Sequence, residues 1–477
     1  MAAMMRDRGA GIAPFLLVAM LLAAFGTRDA RGAAVGPVTV TSLEREVDLS
    51  SSNMAIATTL KVAAGKAPLE GLRYCFGEIV EGRALMWIAF EQVGKGPTKS
   101  LSWRFDSSDP GCALVDLATA VPSGGETTVE VFEVRELNLV PVPEQIGQNE
   151  PQIMKLARFD VVVSHPDLVV GKQVTRVQFP TGKVKHYTRA SIAKINRVGG
   201  MNELVYGPFQ GQAPRGEASL VDLIYEQPEP QLVVESVVRN VTVSLWGNIH
   251  VEEHYHVMNA GPPLRDGFSR VDYNRNPSQH IVHDMTLRLP KGAFGTTYKD
   301  RLGNITTSSS RYDVDGVDVK IRPRFPIAGG WQSHFHFGYK LKPQEYLSQG
   351  SNGKTILKLD LMPAIEGVPI RQLVINAAVP EFATGVSAGP ISGSALFTPD
   401  DPIRRYTYSS STTLSYFDLF GRPVRTMAFE NVGYPESIAI FYVQYKIGAV
   451  YAIKEPILLT VFAAALGAAL FAALRFK

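Results

Sequence analysis

Cysteine is nearly absent from this chain, which carries only Cys75 and Cys112 in 477 residues. That excludes a small scaffold built on disulfides and a four-cysteine zinc site. A surplus of charge of one sign is missing too. Lys and Arg number 48 against 45 Asp and Glu, the formal net charge is +3, and no block of like charge interrupts the chain. A nucleic-acid partner, which needs a basic stripe, is therefore not expected. Neither Gly-x-Gly-x-x-Gly nor Gly-x-x-x-x-Gly-Lys-Ser/Thr occurs, so no nucleotide cofactor is expected and none of another kind is indicated. Long amphipathic helical windows are lacking as well. Only residues 188–198 have a weak helical period, which rules out a helix bundle.

What fills the chain instead is strand pattern. Apolar and β-branched runs at 55–62, 84–90 and 127–134 lie between turn signals such as Ser123-Gly124-Gly125. The same pattern resumes from Gln231 to Tyr445, broken by turns such as Asn259-Ala260-Gly261-Pro262-Pro263. Between the two stretches, Gln227-Pro228-Glu229-Pro230 reads as a stiff, extended connector. The expected fold is mainly β: two β-sandwich-like domains, 33–230 and 231–450, followed by one transmembrane helix. No repeat of short period is evident, and no shared motif marks the two domains as copies.

Both ends of the chain are apolar, but differently. Arg6 and Arg8 precede a run from Ile12 to Phe25 that is too short to cross a bilayer comfortably, and small residues follow near Gly32. This is the form of a cleaved secretory signal, assigned to residues 1–32. Near the other end, Pro456 to Leu474 contains no charge and would cover roughly 28 Å as a helix, close to the hydrocarbon thickness. Arg475-Phe476-Lys477 then gives a short basic tail of the kind that stays in the cytosol. The expected topology is single-pass type I, with the bulk of the chain in the lumen. The run from Ala463 to Ala469, with Gly467 inside it, is rich in small residues that let another helix approach closely. In an oxidising lumen Cys75 and Cys112 could form a disulfide; two buried free thiols is the other reading. Asn240-Val241-Thr242 and Asn304-Ile305-Thr306 are glycosylation sequons, and Asn304 sits in the more turn-rich context.

Histidine is the main candidate for chemistry. Seven of the nine histidines fall between His250 and His336, including the pairs His254/His256 and His334/His336. On a strand, residues i and i+2 share a face, so each pair could offer two imidazoles to one metal. His250-Val251-Glu252-Glu253-His254 also matches the inverted zinc motif His-x-x-Glu-His, which needs a helix to aim its ligands. Its surroundings read as strand, so solvated histidines are the plainer expectation. Gly385-Val386-Ser387-Ala388-Gly389 fits a nucleophile elbow, but Pro390 and Gly393 follow where the helix should start. No catalytic, cofactor-binding or metal-binding residue is therefore assigned. The alternative retained is a membrane-tethered, metal-dependent hydrolase using His250, His254, His256, His334 and His336.

The segment from Arg239 to Tyr339 is the most distinctive. It holds Trp246-Gly247-Asn248, Asp266-Gly267-Phe268-Ser269-Arg270-Val271-Asp272-Tyr273, Gly303-Asn304-Ile305-Thr306-Thr307-Ser308, Arg322-Pro323-Arg324-Phe325-Pro326, Gly329-Gly330-Trp331 and Phe337-Gly338-Tyr339. In order and spacing these motifs resemble the ribophorin I family, lumenal membrane subunits of the endoplasmic-reticulum oligosaccharyltransferase. The likeness reaches to Tyr206-Gly207-Pro208-Phe209 and Gly421-Arg422-Pro423 and is thin before about residue 150. It implies a non-catalytic scaffold or substrate-presenting subunit in a complex that transfers a dolichol-linked oligosaccharide to asparagine of nascent polypeptides. Its partners would be a catalytic multi-span subunit and other subunits, in the endoplasmic-reticulum membrane. It also makes Trp246, Phe325, Trp331 and Tyr339 candidate core or interface anchors, and Arg322 and Arg324 either partners of carboxylates on another subunit or solvated arginines of an edge strand. The mammalian-type subunit also carries a sizeable cytosolic helical tail; this sequence stops three residues after the span, so nothing of that tail's role is carried over.

Overall fold

The computed structural model describes residues 38–76, 85–93, 98–106, 108–163, 168–180, 183–189, 193–198, 201–210, 219–245, 248–350, 352–390, 406–415, 418–433, 440–448, 451 and 453–475. The signal segment 1–32 and Trp246 lie outside the described residues. The protein is mainly β, in several sheets, with one long apolar helix at the C-terminal side.

The first half comprises β1 (Val38–Asp48), β2 (Asn53–Ala63), β3 (Leu69–Cys75), β4 (Leu85–Val93), β5 (Lys99–Ser100), β6 (Ser102–Asp106), β7 (Asp109–Val121), β8 (Glu126–Glu136), β9 (Val140–Pro141), β10 (Ile153–Asp160), β11 (Leu168–Phe179), β12 (Val184–Tyr187), β13 (Ala193–Val198), β14 (Met201–Gln210) and β15 (Leu220–Glu226). An eight-stranded sheet runs β13-β14-β11-β1-β2-β8-β4-β5. A four-stranded sheet, β12-β15-β10-β9, and a three-stranded one, β3-β7-β6, accompany it. The weakly helical window at 188–198 contains β13 instead, paired antiparallel with β14 along its whole length. Ladder hydrogen bonds from a neighbouring strand outweigh a faint local period.

The second half comprises β16 (Leu232–Val243), β17 (Ile249–Asn259), β18 (Met285–Pro290), β19 (Phe294–Asp300), β20 (Gly303–Asn304), β21 (Ser308–Tyr312), β22 (Gly316–Ile321), β23 (Gln332–Leu341), β24 (Leu347–Gln349), β25 (Thr355–Asp360), β26 (Ile370–Ala378), β27 (Thr384–Pro390), β28 (Tyr406–Thr413), β29 (Arg422–Val432) and β30 (Ile440–Lys446). Two short helices, α1 (Arg270–Arg275) and α2 (Pro343–Tyr346), sit in its loops. Its large sheet runs β28-β29-β26-β16-β17-β23-β19-β20, with β27-β30-β25-β24 and β18-β22-β21 beside it.

These orders are the same. Raising each strand number of the first half by fifteen reproduces every pairing of the second, including the parallel pair β1·β11, which becomes β16·β26. Even an irregularity recurs: the ladder of β1 with β2 slips between Val40 and Ser42, and that of β16 with β17 slips between Val234 and Ser236. The two halves are topological copies of one another.

Period-2 patterning decides which side of each large sheet is covered. Along β17, Ile249, Val251, Glu253, Tyr255 and Val257 are buried while His250, Glu252, His254 and His256 between them are half-buried or exposed. In the second half Val251, Phe337 and Leu373 of the large sheet share one core with Val319 of the three-stranded sheet and Phe441 of the four-stranded sheet. In the first half the same face is split. Leu43 and Leu60 pack with Leu72 and Val115 under the three-stranded sheet, and Val47 and Ile56 pack with Met154 and Val221 under the four-stranded one. Each large aliphatic side chain so covered contributes roughly 1.5–3 kcal/mol. The halves also touch. Phe132 and Val134 of β8 pack against the second core, Gln148 exchanges hydrogen bonds with the backbone of Ser269, and Arg371 reaches both Glu136 (3.6 Å) and Glu235 (2.9 Å).

Candidate functional site

The histidines meet on the outer face of the second large sheet. Register sets His254 opposite His336 and His256 opposite His334 across β17 and β23, with ring centroids 4.2 and 4.0 Å apart. Glu252, on the same face, brings a carboxylate oxygen 3.7 Å from His254 Nε2. Ligand atoms of Glu252, His254 and His336 lie within 4.8 Å of one another. Partial burial first, and the neighbouring imidazole second, lower the pKa of both His334 and His336 below the ordinary histidine value. His250 does not join them, because its cross-strand partners are Thr242 and Lys340.

The inverted zinc motif does not survive folding. Because β17 is a strand, Glu253 points into the core, away from His250 and His254. It is fully buried, 3.2 Å from Arg239 Nε, and it accepts the Tyr255 hydroxyl and the Ala364 N–H (3.1 Å). A carboxylate so engaged cannot serve as the base of a metal site on the opposite face. That removes the inverted zinc motif from the hydrolase alternative, and His250 stands apart from the other four histidines. The other lure fails similarly: Ser387 lies within β27, and its hydroxyl accepts Gln444 Nε2 at 2.7 Å. It is not at a strand-to-helix turn.

The Arg239 cluster is what the sequence reading missed. Arg239, 1% exposed, donates to the carbonyls of Asp360 (2.5 Å) and Met362 (3.0 Å) and to the Tyr339 hydroxyl (3.1 Å). Burial alone would lower its pKa, but the facing Tyr339 and Glu253 more than reverse that, so the guanidinium stays charged. Burial, and then Glu253, push the Tyr255 phenol well above its ordinary value. A signal for the cluster was present: Arg239 and Glu253 both occupy inward positions of alternating strands, where an unpaired charge is not tolerated.

The remaining candidates are dispersed. Asn304 is exposed on β20, at the edge of the large sheet. Asn240 is half-buried in the central strand, where its side-chain oxygen accepts Asn376 Nδ2 at 2.9 Å. Arg324 is bonded to Asp300 at 2.7 and 3.1 Å. Arg322 lines a surface pocket with Asp284, Thr307, Ser308, Ser309 and Lys320. Phe325 and Trp331 are 65% and 41% exposed, so neither is a core residue. Trp331 contacts Phe268, with ring centroids 5.6 Å apart. Cys75 and Cys112 face each other in the β3·β7 ladder and are joined by a disulfide. Gly467 lies within α3 (Lys454–Arg475), the one described helix long and apolar enough to cross a membrane, and a Cβ there would meet nothing within 4 Å.

Comparison with known proteins bears on this architecture. A family model described as Ribophorin I matches residues 38–474. The chain is 30% identical to dolichyl-diphosphooligosaccharide–protein glycosyltransferase subunit 1B of Oryza sativa subsp. japonica, over 72% of this chain and 69% of that protein. Subunit 1B of Arabidopsis thaliana is 28% identical over 88% of this chain and 89% of its own. Subunit 1 of Caenorhabditis elegans is 29% identical over 94% of this chain and 72% of its own. The match runs from β1 through both copies of the fold and into α3, and the chain belongs to the ribophorin I family.

Proposed function

We propose that the chain is a non-catalytic subunit of an oligosaccharyltransferase, the complex that moves a dolichol-linked oligosaccharide to Asn-x-Ser/Thr of nascent proteins. The observation that carries this is the continuous match over 38–474 to a family whose relatives are named as subunits of that enzyme. In this reading α3 sits in the endoplasmic-reticulum membrane, and domains 33–230 and 231–450 stand in the lumen as a scaffold or a platform presenting substrate. The partners are a catalytic multi-span subunit and the remaining subunits.

The local chemistry supports an accessory role. Transfer from a lipid carrier needs carboxylates and usually a metal in a groove at membrane depth. The apolar segment from Pro456 to Leu474 carries no ionisable side chain. The histidine face lies on strands, and the glutamate of the inverted zinc motif, Glu253, is engaged in the core on the other side of the sheet.

Purification of the tagged full chain from membranes in mild detergent tests the proposal. Recovery of a multi-span glycosyltransferase with transfer activity is the expected result. Transfer activity by the purified chain alone, or no glycosyltransferase among its partners, would overturn it.

A further inference from the structure

α3 does not leave the second half as a loose stalk. Its first residue, Lys454, bonds Glu381 through Nζ and lies 3.6 Å from Asp418 Oδ1. Glu381 Oε1 accepts the backbone N–H groups of Leu419 (2.8 Å), Phe420 and Gly421 (3.0 Å). Asp418 in turn accepts Arg422 Nε at 3.0 Å and the Ser415 N–H at 2.8 Å. Glu381 is 4% exposed and the Asp418 side chain 1%. Gly421 closes the turn at φ +90°, where a Cβ would lie 2.7 Å from Thr412 Cγ2 and 3.0 Å from the Thr413 carbonyl oxygen.

The charges are thus underneath and the apolar side chains outside. Leu414 is 74% exposed, Leu419 57% and Phe420 75%. Phe382 packs against both Phe420 and Tyr451, at centroid distances of 5.7 and 4.5 Å, and Tyr451 itself is 43% exposed. For a segment facing water this order is inverted, since exposed apolar clusters mark a contact surface. The position of α3 says which contact. An apolar run of roughly 28 Å fills the hydrocarbon layer, so Lys454, two residues before Pro456, stands at headgroup level. The groups bonded to it stand at the same level, where aromatic side chains are favoured.

We propose that Leu414, Leu419 and Phe420 form an interfacial membrane anchor, inserted at the headgroup–acyl boundary of the leaflet that α3 enters. Glu381 fixes its depth by holding the Leu419–Gly421 backbone and the first residue of the span at once. The proposal does not depend on which complex the chain joins.

Both native cysteines are in the disulfide, so a single introduced cysteine can be spin-labelled. The full chain is reconstituted in phosphatidylcholine vesicles with labels at Leu419→Cys or Phe420→Cys. Leu302→Cys, at a site 74% exposed, gives the water reference, and Leu466→Cys in α3 gives the bilayer interior. Collision rates with oxygen and with a water-soluble nickel chelate then report depth. The expected result is a ratio of oxygen to chelate accessibility at 419 and 420 between the two references. Values equal to that at Leu302 would overturn the proposal. So would shielding that appears only when partner subunits are present, because a protein rather than lipid would then cover the site.

Discussion

Arg45 and Arg239 hold the same station in the two halves. Each is the eighth residue of its half's first strand, and each donates from Nη1 to the carbonyl of the residue that ends the tenth strand, Asp160 at 2.8 Å and Asp360 at 2.5 Å. Their carboxylate partners come from different strands. Glu253 on β17 serves Arg239, whereas Thr58 occupies the matching place on β2. In the first half the carboxylate whose charge acts on Arg45 is Glu133 on β8, where the second half has Tyr339, and Glu133 is itself bonded by Arg135 Nε at 2.9 Å. A tyrosine hydroxyl donates to the carboxylate in both cases, Tyr74 to Glu133 at 2.8 Å and Tyr255 to Glu253. A buried arginine, carboxylate and tyrosine therefore recur in both halves, but in the first half a second arginine, Arg135, binds the carboxylate.

Breaking the second trio should be costly. Arg239→Met leaves Glu253 charged and buried, and the expected loss is about 3–5 kcal/mol, as for buried pairs that lose one partner. Urea unfolding of the full chain in detergent measures it, with Arg371→Met as the surface comparison. The double variant Arg239→Met/Glu253→Met should recover part of the loss. A single-variant cost no larger than that of Arg371→Met would show that the pair does not hold the core.

The histidine face should respond to pH in one direction. His334 and His336 are harder to protonate in the folded chain than in the unfolded one. The unfolded chain therefore binds more protons below about pH 6.5, and stability falls as the pH drops through that region. Replacing both by Asn should flatten the stability profile between about pH 5 and 7. Replacing His254 and His256 together by Gln should leave glycosyl transfer by the assembled complex near wild type.

Glycan occupancy should favour Asn304 over Asn240. Asn304 stands exposed at a sheet edge, whereas Asn240 is half-buried and hydrogen-bonded to Asn376 in the sheet centre. Peptide mapping after endoglycosidase treatment is expected to find Asn304 modified and Asn240 largely bare. A bare Asn304 would also count against the lumenal orientation.

Gly467→Leu tests whether α3 packs against other helices. Space around Gly467 is open within the chain, so the larger side chain should neither block insertion nor disturb the fold. Reduced recovery of partner subunits in mild detergent is the expected outcome, because the close approach that a small residue permits would be lost. Recovery equal to wild type would assign that face of α3 to lipid.

Much of the architecture was legible because it is local. Alternation along a strand requires only neighbouring residues, so the β class and the outward histidines of β17 follow from the sequence. The uncharged run from Pro456 to Leu474 likewise identifies α3 by length and composition. The duplication is barely visible in residues. Once the register is known, Ser42-x-x-Arg45-x-Val47 and Ser236-x-x-Arg239-x-Val241 align, but so short a pattern had no weight before the pairings were known. Copies of a sandwich need to share only which positions face inward, and Thr58 against Glu253 shows how freely the rest drifts.

By itself the sequence determined the class of structure, the apolar ends and the family. Only the tertiary structure decided what the charged residues are for. Arg239 meets Tyr339 a hundred positions away, and Glu381 meets Lys454 at 73. Such partners are set by sheet register and loop closure, which no local window contains. Glu253 and His254 are adjacent in sequence, yet the pleat sends one into a dry ion pair and the other to the wet face.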